Sequence, residues 1–303
     1  MKITCHSYSH DADYERVSRF LVKTYSANAN HINWLQPRWE YMHHHPYIRG
    51  VELSSIGVWE AEGEIVAVVH LEHSQGRAYF EIDPYYVALK REMLVYAEEY
   101  LCSAEGDDKA LTVYINDKDD RFQDIATERG YQKQTGTEEM SHFVIPDTIP
   151  AIELPEGFRL KSLAEDNDLQ KLSRILFRGF NHGAEPPDDG VAEQEFMQTA
   201  PNYRKDLNVV VEAPDGNFAA YCGMWYEAVN RIAYVEPVCT DPSHRRLGVG
   251  SAAVLEGIRL CGEQGATVAY VGAVLPIYLS IGFRQIFNSS AWRREWTKER
   301  SAP

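Results

Sequence analysis

The run Arg245-Arg246-Leu247-Gly248-Val249-Gly250-Ser251 places two cations and two glycines directly ahead of the helix-forming stretch AAVLEG. Backbone N–H groups at a helix N-terminus have no partner inside the helix and sit at the positive end of its dipole. Successive N–H groups from Arg246 to Ser251 therefore suit an anion. Glycine at 248 and 250 leaves room for a phosphate to approach the backbone, and Arg245 and Arg246 offset its charge. The chemistry this spacing offers is the holding of a pyrophosphate.

The letters fit two patterns: R-x-x-G-x-G from Arg245, and the dinucleotide pattern G-x-G-x-x-A from Gly248 to Ala253. The second needs its first glycine directly at the end of a buried strand. Here the strand-like VEPVCT stops at Thr240, and six residues, Asp241 to Arg246, intervene. The Lys-Ser/Thr pair of a nucleotide triphosphate loop is also missing. The pyrophosphate reading fits each part, while on the turn alone a glycine loop with solvated arginines stays open.

The elements that must position this turn follow from the pattern around it. Arg159 to Leu163 reads as a short strand, and EDNDLQKLSRILFRGF has apolar residues at 169, 172, 175, 176 and 180, one face of a helix that Asp166 or Asn167 can cap. LNVVVEAPDGNFAAYCGMWYEAVNRIAYVEPVCT then reads as an antiparallel meander turning at Asp215-Gly216. After the glycine turn come a helix from about Gly250 to Glu263, the strand TVAYVG in a parallel crossover, a short helix in PIYLSIGF, and closing strands in RQIFNSSAWRREW.

A second copy of this arrangement precedes it. HDADYERVSRFL from His10 aligns with EDNDLQKLSRIL from Glu165, VWEAEGEIVAVV from Val58 with VVEAPDGNFAAY from Val210, Asp83-Pro84 with Asp241-Pro242, and IATERGYQK from Ile125 with IYLSIGFRQ from Ile277. The offsets are 155, 152, 158 and 152 residues, so order and spacing hold across the halves. Pro146, Pro150 and Pro155 mark a linker between them. The expected organisation is an N-terminal domain over 1–145, a linker over 146–157 and a C-terminal domain over 158–303. The fold class is α/β (α+β), two tandem copies of a mixed, mostly antiparallel twisted sheet flanked by helices.

The chain has 303 residues with 45 acidic against 30 basic side chains, a net charge of −15. Such a field disfavours nucleic acid and anionic lipid. The first twenty residues lack the apolar run of a signal peptide, and no stretch of about 18 apolar residues follows. Five scattered cysteines without a C-x-x-C pair read as reduced thiols of a soluble, cytoplasmic protein. His43-His44-His45 reads as a polar loop or partly packed turn, since three consecutive positions seldom converge on a metal; no metal is expected.

The run AYVEPVCTDPSHRRLGVGSAAVLEG, followed by GATVAYVG and IYLSIGF, resembles the GCN5-related N-acetyltransferase (GNAT) superfamily. The motifs cover roughly residues 208 to 287. With the repeat, the organisation resembles the tandem type seen in mycothiol synthase. The resemblance implies that main-chain groups of Val238, Cys239 and Thr240 bind the pantetheine arm of acetyl-CoA like an added strand. It implies that Arg245, Arg246, Leu247, Gly248, Val249, Gly250 and Ser251 hold its pyrophosphate. Tyr278 matches the family's tyrosine proposed to protonate the leaving thiolate, a task that suits a phenol with an ordinary pKa of about 10. Glu236, on the strand before the turn, is the candidate base, with a structural or substrate-orienting role as the alternative.

Two departures from the family pattern matter. GAVLPIY lacks the asparagine that many members carry before the tyrosine, so only Tyr278 is carried over. After Asp83-Pro84 the first copy has no glycine until Gly106, so it reads as a degenerate copy without the pyrophosphate turn. The expectation is an acetyl-CoA-dependent N-acetyltransferase with one coenzyme site in the C-terminal domain, acting on a small-molecule amine, as a monomer or homodimer. A non-catalytic acyl-CoA sensor or scaffold and a protein N-acetyltransferase are the alternatives. FNHGAEPPDDG (180 to 190) and MWYEAVN (224 to 230) occupy the positions that choose the acceptor in the family, and the aromatic HINWLQPRWEYMHHHPYI (31 to 48) is assigned no chemistry.

Overall fold

Two compact units divide the chain. Met1–Met42, Tyr47–Glu139 and Phe287–Pro303 form unit 1, and His43–Pro46 with Met140–Ile286 form unit 2. A computed structural model describes residues 2–26, 33–105 and 108–296; His31 and Ile32 of the aromatic segment lie outside the described residues.

Unit 1 starts with β1 (Ile3–Ser7), α1 (His10–Thr24) and α2 (Gln36–His44), whose last two residues belong to unit 2. The hairpins of β2 (Gly57–Ala61), β3 (Glu64–His70) and β4 (Arg77–Ile82) follow, then α3 (Lys90–Tyr100), β5 (Ser103–Glu105), β6 (Asp108–Asn116) and α4 (Asp120–Glu128). β7 (Gln132–Val144) begins in unit 1 and ends in unit 2. β4 and β6 pair in parallel, whereas the β1–β2, β2–β3 and β3–β4 pairs are antiparallel.

Unit 2 repeats the plan with β8 (Arg159–Ser162), α5 (Leu169–Gly179), α6 (Gly190–Met197), β9 (Val209–Glu212), β10 (Phe218–Glu227), β11 (Ile232–Thr240), α7 (Val249–Glu263), β12 (Val268–Val271) and α8 (Pro276–Ser280). The antiparallel β8–β9–β10–β11 meander continues through a parallel β11–β12 pair to the last residues of β7. The cap of α5 is Asp168, which accepts from the N–H groups of Gln170 and Lys171, rather than Asp166 or Asn167. Its carboxylate is the one placed two and three residues ahead of the orphan donors.

The repeat is visible in detail. Asp83 and Asp241 each accept from the N–H two residues on and each open a 3-10 segment with a proline in its first turn, Pro84–Leu89 and Pro242–His244. α4 and α8 are each followed by a glycine in the left-handed region, Gly130 at φ 82° and Gly282 at φ 111°. One expectation changes. RQIFNSSAWRREW forms a single strand, β13 (Arg284–Trp296), and its residues from Phe287 on belong to unit 1, where Ser289 to Trp296 pair antiparallel with β6. The C-terminal boundary of the second copy therefore falls at Ile286, and the last strand completes the sheet of the first.

The core of unit 2 lies on both sides of its sheet. Val209, Val211, Met224, Val235, Ala253, Val254, Ile258 and Phe283 bury one face under α7. Val210, Phe218, Tyr221 and Cys239 bury the other under Leu172 and Ile175 of α5. β10 is buried along nearly its whole length, as a strand covered on both faces must be.

Candidate active site

The parallel pairing of β11 with β12 covers Ile232 to Tyr234 against Val268 to Tyr270 and stops there. At the same level the β10–β11 register shifts, so that Cys222 faces Val238 while Met224 faces Val235. Glu236 and Pro237, joined by a cis peptide, therefore oppose the single residue Gly223. A Cβ on Gly223 would lie 2.4 Å from the Glu236 carbonyl oxygen, so only glycine admits this bulge. The Trp225 indole N–H donates to the same carbonyl at 2.9 Å and holds it. Beyond the bulge, among the described residues, the outer edge of β11 has no strand partner, although the Thr240 carbonyl accepts from Arg245 Nε at 3.3 Å.

Side chains alternate along this edge. Val238 packs toward α7, and Thr240 lies against Gly250, whose added Cβ would sit 2.6 Å from the threonine Oγ1. Cys239 turns the other way: its Sγ lies 3.5 Å from the Ile175 carbonyl, and a Cβ on Gly179 would meet it at 2.6 Å. Burial pushes the Cys239 thiol well above its usual range, so it is neutral and inert.

The glycine turn has two left-handed residues, Arg246 at φ 66° and Gly248 at φ 80°. A Cβ at Gly248 would meet nothing within 4 Å, so the space beside it is open. Gly250, by contrast, is needed for packing against Thr240 and the Ile277 Cδ1, 3.2 Å from the added Cβ. The first helical bond of α7 runs from the Ala252 N–H to the Gly248 carbonyl, so the N–H groups of Val249 to Ser251 have no acceptor within the helix. The guanidinium of Arg245 is committed elsewhere: it donates to the Gly179 carbonyl at 2.9 Å and to Asn181 Oδ1 at 2.8 Å. Arg246 makes no ion pair among the described residues and is exposed.

The start of the turn is anchored by Asp241, which is buried and forked by Arg178. That arginine also donates to the Ala184 carbonyl in the loop after α5. The Arg178 guanidinium, with smaller help from Ser243, holds the Asp241 carboxyl well below the ordinary carboxylate range. The ion pair was not visible in the sequence, because its partners lie 63 residues apart.

Tyr278 sits on α8, 6% exposed, with its ring edge-on to Phe283 at 5.6 Å. Burial raises its phenol well above the usual value, and Cys222, Glu236 and Cys239 raise it further, so it is protonated throughout the neutral range. Glu236 itself is half-buried.

Unit 1 departs at each of these points. Its parallel pair ends at Ala78 and Val113, and the next two residues, Tyr79 and Tyr114, stack at 5.4 Å with 8° between ring planes. The place where the two strands part is thus filled by rings. α3 follows straight on from the 3-10 turn, and the Lys90 N–H is used by the Val87 carbonyl. His6, Asp13 and Glu60 bring possible ligand atoms within 4.8 Å of one another, but Arg16 reaches Asp13 at 3.1 Å and Glu60 at 2.6 Å and supplies the cation there. His43 and His44 end α2, and the His44 ring lies 6.0 Å from Phe196 of α6.

Residues 170–282 match the model of the acetyltransferase (GNAT) family. The fold is similar to that of a GCN5-related N-acetyltransferase from Sphaerobacter thermophilus, 15% identical over 97% of this chain and 95% of that chain, TM-score 0.67. It is also similar to a tandem GNAT protein from the clavulanic acid biosynthesis pathway, 13% identical over 98% of this chain and 100% of that chain, TM-score 0.64. Saccharomyces cerevisiae N-myristoyltransferase with bound myristoyl-CoA is 11% identical over 98% of this chain and 81% of its own, TM-score 0.58. No curated protein sequence matches the chain. The fold is of the kind those structures share, a splayed sheet with a glycine turn at its opening. The family match lies within unit 2, and over nearly its whole length the chain is similar in fold to a tandem GNAT protein. Among the described residues, no helix is long and apolar enough to cross a membrane.

Proposed function

We propose that this protein is an acetyl-CoA-dependent N-acetyltransferase of the cytoplasm that acts on the amine of a small molecule, with one coenzyme site, in unit 2. The observation that carries this reading is the meeting of three features at the bulge: the open edge of β11, the acceptor-less N–H groups of α7, and the protonated Tyr278. Val238 to Thr240 bind the pantetheine arm as an added strand. The N–H groups of Val249 to Ser251 hold the pyrophosphate, with Arg246 as the cation. Arg245 instead braces the turn against α5.

The chemistry follows from these positions. Glu236, directly or through water, takes the proton of the bound ammonium, and the neutral amine nitrogen attacks the thioester carbonyl. As the carbon–sulfur bond breaks, the thiolate takes the Tyr278 proton, the nitrogen gives up its second proton to the tyrosinate directly or through water, and the proton on Glu236 passes to solvent. The amide and free coenzyme A leave. Burial keeps the phenol protonated at neutral pH, so it is present as a donor and not as a base, which supports the division of roles between the two residues. The ring stack at Tyr79 and Tyr114 supports a single site.

The test is incubation of purified protein with acetyl-CoA and a mixed panel of amines, following free thiol and product mass. Amine-dependent thiol release supports the proposal. Coenzyme binding without turnover on any amine or peptide points to a sensor, and turnover on peptides alone to a protein acetyltransferase.

A further inference from the structure

The end of α7 remote from the glycine turn has a cavity of its own. The proline-containing segment folds back there: the Ile145 N–H donates to the Thr267 carbonyl at 2.9 Å, and Ile145 and Ile149 pack on the core of unit 2. Pro146 and Pro150 restrict the backbone on either side of Asp147 to Ile149. Between this segment and the C-terminal end of α7 lies a cavity of about 710 Å³, with an aliphatic wall of Ile145, Ile149, Ile152 and Ala266. Its volume is in the roughly 300–1,000 Å³ range of small-molecule sites. Arg259, also in the lining, stands roughly 15 Å along the helix from Val249, at about 1.5 Å per residue. The cavity is therefore separate from the turn at Gly248.

Four charged residues line it: Asp147, Arg231, Arg259 and Glu263. Arg259 is committed, to Glu256 at 2.7 Å and to Glu263 at 2.5 Å. Arg231 is fixed but not used up. Its carbonyl accepts from the Thr267 N–H at 2.8 Å, and its Nε donates to the Gly265 carbonyl at 2.8 Å. Its two Nη atoms make no hydrogen bond or ion pair among the described residues. The residue closes the hairpin between β10 and β11 at φ 57°, in the left-handed region where glycine or asparagine is favoured. An arginine kept at such a position, anchored through Nε beside an aliphatic wall, is a preorganised donor for an oxyanion. Asp147 makes no ion pair among the described residues, so it opposes a second negative charge on whatever enters.

We propose that this cavity binds a monocarboxylate with an aliphatic body, its carboxylate on the Nη atoms of Arg231 and its chain against Ile145, Ile149 and Ile152. The inference goes beyond the acetyltransferase reading and does not rest on it. The planar guanidinium offers parallel N–H groups that match the two carboxylate oxygens. Such a ligand is an effector and not an acyl acceptor, because Tyr278 lies at the other end of α7, where its neighbour Ile277 packs beside Gly250.

The experiment is methyl NMR on the full chain labelled at the isoleucine Cδ1 groups, titrated with hexanoate, with hexanamide and with the dicarboxylate adipate. Hexanoate is expected to shift Ile145 and Ile149 saturably and to leave Ile277 unmoved. Hexanamide and adipate are each expected to bind at least tenfold more weakly. Arg231→Gly, whose backbone suits a φ of 57° and keeps the hairpin, is expected to weaken hexanoate binding tenfold or more. The proposal is overturned by absent shifts at Ile145 and Ile149, by a hexanoate shift at Ile277, by equal affinity for either control ligand, or by unchanged affinity in the glycine variant. Acetyl-CoA added to the same sample reports on the glycine turn through Ile277, so the two readings fail independently.

Discussion

Arg178 Nε lies 2.5 Å from Asp241 Oδ2, and its Nη2 lies 3.1 Å from Oδ1, a two-point ion pair between the end of α5 and the first residue of the glycine turn. Removing the arginine leaves a buried carboxylate with Ser243 and, at 4.0 Å, His244 Nδ1 as local partners. Arg178→Ala is expected to cost about 3 kcal/mol in urea unfolding at pH 7. The Asp241 pKa is lowered on folding, so the pair's contribution is present above the ordinary carboxylate value of about 4 and falls away as the pH drops below it. The stability gap between wild type and variant should shrink when unfolding is repeated near pH 3. A gap that is constant with pH would show that the pair is not the source of the loss.

Gly248→Glu is expected to abolish acetyl-CoA binding, because a carboxylate then occupies the position given to the pyrophosphate. Gly248→Ala separates charge from backbone strain. The left-handed φ of 80° costs a non-glycine residue about 1 kcal/mol, and the open space around it adds nothing. Calorimetry on folded samples of both decides the matter, and intact affinity in the glutamate variant refutes the placement of the turn.

Gly250→Ala tests packing. Its methyl would lie 2.6 Å from Thr240 Oγ1, and the predicted loss of stability is about 1–3 kcal/mol. Adding Thr240→Ala should return part of that loss, so that the double variant is more stable than the sum of the two single changes. Strict additivity in thermal unfolding would mean that the clash is relieved elsewhere.

Tyr278→Phe should lower kcat on an accepted amine by about 10²-fold or more, with little change in the KM for acetyl-CoA. The phenol acts in its protonated form and its pKa is raised on folding, so the wild type should show no alkaline loss of kcat from this group below about pH 10. A tyrosine acting only as packing would leave kcat nearly unchanged in the phenylalanine variant.

Deleting residues 287–303 is expected to damage unit 1. The strand residues Ser289 to Trp296 pair with β6, so hydrogen-exchange protection should collapse at Leu111, Val113 and Ile115 while it persists in β10. Loss confined to unit 2 would contradict the strand assignment.

The local features of the site were legible in the sequence because local chemistry dictates them. Gly248 followed by an alanine-rich helix, the Asp215-Gly216 turn, and the Asp83-Pro84 and Asp241-Pro242 openings each need only a few neighbouring residues. What stayed hidden depends on partners far along the chain. Nothing in RREW says that its partner is β6, because an alternating strand fits any edge of matching register. The commitment of Arg245 to Gly179 and Asn181 was equally silent, since a guanidinium beside a phosphate turn reads as a phosphate ligand until its neighbours are known. Even the helix cap moved, from the expected Asp166 or Asn167 to Asp168, as three consecutive polar residues offer the same signal.

The return of β13 to the first sheet sets an order of completion during synthesis. Apart from His43–Pro46, unit 2 is one continuous run, Met140–Ile286, and all of it has been made before the ribosome adds Ser289 to Trp296. Unit 2 is therefore the first that can finish folding, although most of it is translated second. Until then the β13-facing edge of β6 is an open row of backbone donors and acceptors on the nascent chain, the kind of edge that invites mispairing and needs shelter.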